Sequence, residues 1–259
     1  MIWWTWLILW FGSAGAVALY SALGRGQGAV PLQLSLASPS WSHIFGCGVF
    51  GQDMLFEVLS ASAKSSIVSL IATALACLFA LAIGGGIALL PERFRFVALR
   101  GLDAWLAFPF LLVALGLAAI RGPGWSTLIA SLLIGMVPMF ARLVYARTRE
   151  ILTEPFIEAA QSVGASSWRI LIRHIGPNLG PLVVAKAPLF FAQCLMAEAA
   201  LSYLGVGAPI GTQTWGSLLA SGKDYLIEAP HIALASGIPL VLTLLALQIL
   251  SAGKKSVFR

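Results

Sequence analysis

The sequence predicts an all-α integral membrane protein with six transmembrane helices and both termini in the cytoplasm. Three observations carry that expectation. Of 259 residues, 59% are hydrophobic and only 10% charged, where soluble domains carry about 25% charged residues. Six separate apolar stretches approach the roughly 20 residues that a helix needs to cross about 30 Å of hydrocarbon. Finally, Lys and Arg gather in alternate connections between those stretches.

The spans are expected at residues 2–23, 66–90, 102–120, 125–146, 179–204 and 232–251. The first lacks a basic flank and carries Trp3, Trp4, Trp6 and Trp10. It reads as a span with interfacial aromatics rather than as a cleaved leader. Residues 1–65 are then one unit, the first helix and its outer segment, and residues 66–259 a five-helix core with an inner loop at 148–178. Within the outer segment, Asp53 is placed to cap a short helix carrying Met54, Leu55, Val58 and Leu59.

Charge sets the orientation. With the N-terminus inside, the inner segments hold Arg93, Arg95, Arg100, Arg142, Arg147, Arg149, Arg169, Arg173, Lys254, Lys255 and Arg259. The outer segments hold only Arg25, Lys64, Arg121 and Lys223. This asymmetry accounts for the net charge of +6 without a nucleic-acid partner.

Several chemistries lack their residues. Cys47, Cys77 and Cys194 form no C-x-x-C, and His43, His174 and His231 are scattered, so no disulfide framework or metal site is expected. No span carries paired His, Asp or Glu at helical spacing, and no Ser-His-Asp set is suggested. Catalytic residues are therefore not expected. A P-loop needs G-x-x-x-x-G-K-[ST], but Gly222-Lys223 is followed by Asp224 and Gly253-Lys254 by Lys255. No cofactor is expected in this chain.

The inner loop is the most informative polar stretch: "EAAQSVGASSWRILIRHIGP", residues 158–177. Thr153 is placed to cap a first helix with Glu154 and Pro155 in its first turn. Gly164 suits its end. Ile157, Ala160 and Gly164 follow i, i+3, i+7 spacing, and Ala159, Ala160, Gly164 and Ala165 let another surface approach closely. Ser166 or Ser167 starts a second helix, with Trp168, Leu171, Ile172 and Ile175 on one stripe, and Pro177 ends it. About eleven residues reach only roughly 17 Å, so the first helix does not cross a bilayer. Two readings stay open: a helix pair lying on the membrane surface, or a docking element presenting small residues and Glu158 to a cytoplasmic partner.

Two charges fall inside one span, Lys186 and Glu198. Each costs about 2.5–3.5 kcal/mol at a bilayer centre, and at roughly 18 Å apart along a helix they do not pair. Lys186 either snorkels to the inner surface or lines a path. Glu198 either lines or gates a path or makes a structural hydrogen bond. Gly84, Gly85 and Gly86 are read as close-packing positions, and Pro109, Pro138 and Pro239 as candidate kinks.

Four motifs carry a resemblance. The spacing E-A-A-x-x-x-G at Glu158–Gly164 resembles the signature loop of bacterial ABC importer permeases, with Ile175 and Pro177 in frame and Gly176 where a Leu is usual. "DAWLAFPFLLVALGLAAIRGPG" (103–124), "ARLVYARTRE" (141–150) and "EAALSYLGVG" (198–207) followed by Trp215-Gly216 are similar to further runs of the dipeptide, oligopeptide and nickel branch. The outer segment keeps His43, Gly46, Gly51 and Asp53 of that branch's pattern. Cys47, Gly48 and Gln52 replace its Thr, Asp and Arg.

The resemblance implies a permease subunit in the bacterial inner membrane. It would share its path with a second permease and bind two ATP-hydrolysing subunits, which hold the ATP, through Glu158, Ala159, Ala160 and Gly164. An extracytoplasmic binding protein would deliver a peptide, a nickel complex or another small solute. A self-sufficient secondary transporter and a membrane-embedded enzyme are the rivals. The first fits poorly because no internal repeat is evident.

Overall fold

A computed structural model describes residues 2–22 and 32–253. Among the described residues the fold is helical, without a strand; one isolated bridge joins Cys47 to Asp53. Five helical stretches are long and apolar enough to cross a membrane, and a sharply bent pair makes a sixth if it is taken as one span. Residue 23 at the end of the first expected span, Arg25, Lys254, Lys255 and Arg259 lie outside the described residues.

The first helix, α1 (Ile2–Ala22), touches the bundle through an aromatic ladder. Trp6 stacks on Trp10 at 5.3 Å, and Trp10 on Trp215 at 6.4 Å. The outer segment then folds back on itself. Asp53 Oδ1 accepts hydrogen bonds from the Leu55 and Phe56 amides, capping the next helix as expected. Its Oδ2 meets His43 Nδ1 at 2.8 Å. Gly46, at φ +75°, leaves room for His231, whose Nε2 lies 3.1 Å from the Cys47 carbonyl. Three of the four residues shared with the family pattern are thus those that close the loop. Cys47 is fully buried, and burial, then the nearby Asp53 charge, pushes its thiol pKa up. We expect Asp53→Ala to loosen the start of the capped helix by about 1 kcal/mol, read as faster amide hydrogen exchange at residues 55–57.

The capped helix and the second span are one element, α2 (Met54–Leu89). The run of serines hides this in the sequence. Ser62 and Ser66 donate to the carbonyls of Val58 and Ser62, four residues back, both at 2.6 Å, so the hydroxyls need no water.

The expected third span, 102–120, is corrected. The chain forms α3 (Glu92–Ala107) and α4 (Phe110–Arg121), bent by 76°. Pro109 drives the residue before it out of the helical region, and Phe108 sits at φ −76°, ψ 129°. At 12 residues, α4 reaches about 18 Å and cannot cross alone. The next helix, α5 (Trp125–Ile151), runs uninterrupted through Pro138. Asp103 on α3 pairs with Arg142 on α5.

Helices α2 and α5 form the most extensive helix pair. They run parallel, since Val68 and Ala72 share a cluster with Leu128 and Leu132, while Gly84 meets Ala141 and Val144. The bent α3–α4 pair is the return crossing that parallel neighbours require. A Cβ on Gly84 would strike the Ala141 carbonyl, and one on Gly85 would meet Leu171 at 3.1 Å. Gly86 faces open space, so the triple glycine serves packing at two positions.

Beyond α5 lie α6 (Pro155–Ser162), α7 (Ser167–Ile170), a π turn at Leu171–Ile175 and α8 (Gly176–Tyr203). The short α9 (Trp215–Lys223) follows, and α10 (Pro230–Gly253) closes the described chain. Helix α8 runs antiparallel to α2 and α5. Its start packs near Ile151, and Leu201 packs near Leu128.

Candidate functional site

The loop between α5 and α8 sits at the end of the bundle that carries exposed Arg93, Arg100, Arg142, Arg147 and Arg149. Pro155 occupies the first turn of α6 as expected, but the N-cap is Glu154, not Thr153. Thr153 instead donates its hydroxyl to the Glu150 carbonyl at 2.7 Å, closing the end of α5. The other end of α6 is sealed twice. Gly164, at φ +78°, donates to Gln161, and Ala165 donates to Ala160, the paired bonds of a Schellman motif. A Cβ on Gly164 would meet nothing within 4 Å, so the glycine is needed for its backbone angle rather than for space.

The seal fixes which face of α6 turns inward. Ile157 is fully buried and Ala160 nearly so, packed with Phe140, Val144, Ile151, Ile170 and Ile175. Glu158, Ala159 and Gly164 face out. The small residues therefore divide: Ala160 serves the protein's own core, while Ala159 and Gly164 leave the outer face low.

The second helix departs from expectation at two points. Ser166 caps it, accepting from the Arg169 amide at 3.3 Å, but Pro177 does not end it. The backbone widens into a π turn, the Gly176 amide bonds to the Leu171 carbonyl five residues back, and the helix runs on into α8. Pro177 lacks an amide and clashes with the preceding turn of a regular helix; one wide turn accommodates both defects. Gly176 also has a reason, since a Cβ there would lie 3.3 Å from the Leu171 carbonyl. The result is a 37-residue helical stretch, Ser167–Tyr203.

The expected apolar stripe is split as well. Ile175 is buried and Leu171 half-buried, whereas Trp168 is 69% and Ile172 53% exposed. Phe156 and Val163 are exposed too. Phe156, Ala159 and Val163 follow i, i+3, i+7 spacing, a second stripe beside the buried one that the sequence reading passed over. Phe156, Val163, Trp168 and Ile172 thus stay exposed on the same helix pair as Glu158.

Lys186 and Glu198 are not brought together. Lys186 is half-buried, with no hydrogen bond or ion pair among the described residues. Glu198 is fully buried. Ser202 donates to its Oε1 at 2.7 Å, and the hydroxyls of Ser65 and Thr214 face the carboxyl group. The structural hydrogen bond is therefore present. No cluster of His, Cys, Asp or Glu able to hold a metal occurs among the described residues.

Residues 77–253 match the family model of the binding-protein-dependent transport system inner membrane component, well over half the chain. The chain belongs to that family. It is a permease subunit of an ABC importer, a multi-pass inner-membrane protein and not an enzyme. A protein described as a peptide transport system permease of Brucella suis biovar 1 (strain 1330) is 35% identical over 230 residues, 88% of this permease and 77% of that protein. The glutathione transport system permease protein GsiD of Escherichia coli O1:K1 is 33% identical over 219 residues, covering 83% and 71%. An inward-facing structure of the MetNI methionine ABC transporter aligns with a TM-score of 0.56 at 18% identity, over 77% of the permease and 94% of that chain. At that identity the likeness establishes the fold alone.

Proposed function

We propose that this permease forms half of the translocation path of an ATP-driven importer for peptides or a related small solute, glutathione-like peptides and nickel complexes included. Its N- and C-termini lie in the cytoplasm. A second, different permease completes the path, and two ATP-binding subunits, which hold the ATP, seat on the α6–α7 loop. An extracytoplasmic binding protein delivers the solute. The names of its relatives, peptide and glutathione permeases, support the substrate class.

The observation that carries the coupling reading is the outward face of α6–α7. A helix pair serving only itself would turn its apolar side chains to the bundle. This one buries Ile157, Ile170 and Ile175 and still exposes Phe156, Val163, Trp168 and Ile172, with Glu158 exposed on the same helix pair. Exposed apolar groups beside a charge, on a sealed and rigid helix at the arginine-rich end, suit a groove on a partner. Lys186 remains a candidate for lining the path within this reading, and Glu198 for gating it.

Affinity capture of the tagged permease from detergent-solubilised native membranes tests it. We expect a P-loop ATPase and a second permease to co-purify. Recovery of the chain alone, under conditions in which control importers stay assembled, would overturn the reading, as would uptake driven by an ion gradient without any ATPase.

A further inference from the structure

The segment after α8, "GVGAPIGTQTW", reads as a loose glycine-rich connection. The structure makes it a knot. Gly205, at φ +78°, and Val206 seal α8 by donating to Ser202 and Leu201. Gly207 lies so close to Ser202 that a Cβ would overlap its hydroxyl, and its carbonyl accepts from the Gly124 amide ahead of α5. Thr214 caps α9 through a reciprocal box with Ser217. The Trp215 amide donates to Ser65 on α2 at 3.1 Å. Gly216 rests on the Ala199 carbonyl of α8, and Gly222 on Ala233 of α10.

Glu198 lies at the centre of this knot. The Ser65 hydroxyl accepts from Trp215 and the Thr214 hydroxyl from Ser217, so each keeps its own proton to donate. Ser202 already gives its proton to Glu198 Oε1. Ser202 thus bonds the carboxyl group, and the hydroxyls of Ser65 on α2 and Thr214 at the cap of α9 face it. Its Oε2 has no partner at full hydrogen-bond geometry. A buried carboxyl group is retained in a membrane span only where it has a task.

The same helix leads to the opposite end of the bundle. From Ser167 to Tyr203 the chain is one helical stretch, about 55 Å long at 1.5 Å per residue. One end carries the α6–α7 loop and the other carries Glu198. We infer that Glu198 is a positioning residue that fastens α9 and the 207–214 loop to α8. A displacement of α8 at the loop end then moves the far mouth of the path with it. The inference rests on the proposed ATP-driven coupling through α6–α7, and it assigns Glu198 to transmission rather than to contact with the solute.

The test uses the assembled importer, with its ATPases and binding protein, in proteoliposomes. Two single-cysteine reporters are read for maleimide labelling rate with and without trapped nucleotide: Asn178→Cys at the start of α8 and Ile210→Cys in the far loop. Both positions are exposed. In the parent complex both rates are expected to change with nucleotide. In Glu198→Ala the Asn178 reporter still responds and the Ile210 reporter does not. Solute moved per ATP hydrolysed falls about tenfold, with hydrolysis retained. Glu198→Gln keeps an oxygen for Ser202 and restores most of the coupling.

Parent-like transport and a responding Ile210 reporter in Glu198→Ala would overturn the inference. If Glu198→Ala does not assemble, Ser65→Ala and Ser202→Ala are read in its place, and full coupling in both overturns it equally. A parent complex in which neither reporter responds and uptake needs no ATP would instead overturn the proposed function itself.

Discussion

Replacing Glu158 with arginine is expected to reduce ATP-dependent uptake at least about a hundredfold while leaving the permease inserted and folded. The side chain lies on the outer face of α6 and makes no ion pair among the described residues. Its backbone carbonyl keeps the Ser162 hydroxyl at 2.9 Å in either variant. The fold therefore has no stake in the charge. An interface does: a like-charge or unpaired charge buried against a partner costs several kcal/mol, and every 1.4 kcal/mol is a factor of ten. Uptake at matched expression, with ATP hydrolysis by the purified complex, is the check. Unchanged uptake would remove Glu158 from the coupling surface. Because α6 is closed at its C-terminal end by Gly164 and Ala165, the helix cannot simply swing the new charge away.

The parts of this fold legible in the sequence are those set by local rules. Five of the six crossings show as long, predominantly apolar runs, and the Asp53 cap and the Gly164 turn follow from neighbours in the chain. The errors fall where a local signal had a non-local remedy. Pro177 is a helix terminator by its own chemistry, yet a π turn and Gly176 carry the helix past it. The short capped helix and the second span read as separate elements because the bonds of Ser62 and Ser66 to carbonyls four residues back cannot be seen in composition. Pro109 marks a candidate kink, but the size of the bend is not legible in the sequence. It depends on Phe110 seating against Gly135 of α5, where a Cβ would strike the ring.

The candidate site divides in the same way. Glu158 and Gly164 are visible by spacing, and a structural hydrogen bond is among the readings of Glu198, but its partner Ser202 is not singled out. The inward role of Ala160, the exposure of Trp168 and the meeting of Glu198 with Ser65 are not visible. The last joins residues 133 positions apart (198 − 65), and periodicity carries no information across such a gap. The motif "EAALSYLGVG…WG" thus gains a physical account that its letters alone do not offer. Its acid, its serine, its second glycine and its Trp-Gly pair are all members of one packed joint.

That joint sets the second large expectation. Gly216→Ala is expected to lower the melting midpoint of the detergent-solubilised permease and to impair uptake, although only one methyl group is added. The new Cβ would lie on the Ala199 carbonyl oxygen and 2.8 Å from the Tyr203 amide nitrogen. Both are backbone atoms inside α8, so neither can rotate aside. Helix α9 must lift instead, stretching the Trp215–Ser65 bond and the Trp10–Trp215 stack. Overpacking of this kind costs about 1–3 kcal/mol, and opening the seat of the fully buried Trp215 adds to it. Gly86→Ala is the matched control. It adds the same methyl group within α2, where a Cβ would meet nothing within 4 Å, and should be neutral or stabilising by up to about 1 kcal/mol. Equal melting of the Gly216 and Gly86 variants would show that α9 does not rest on α8 as described. A drop confined to Gly216→Ala would place the stability of the far mouth in that single backbone contact.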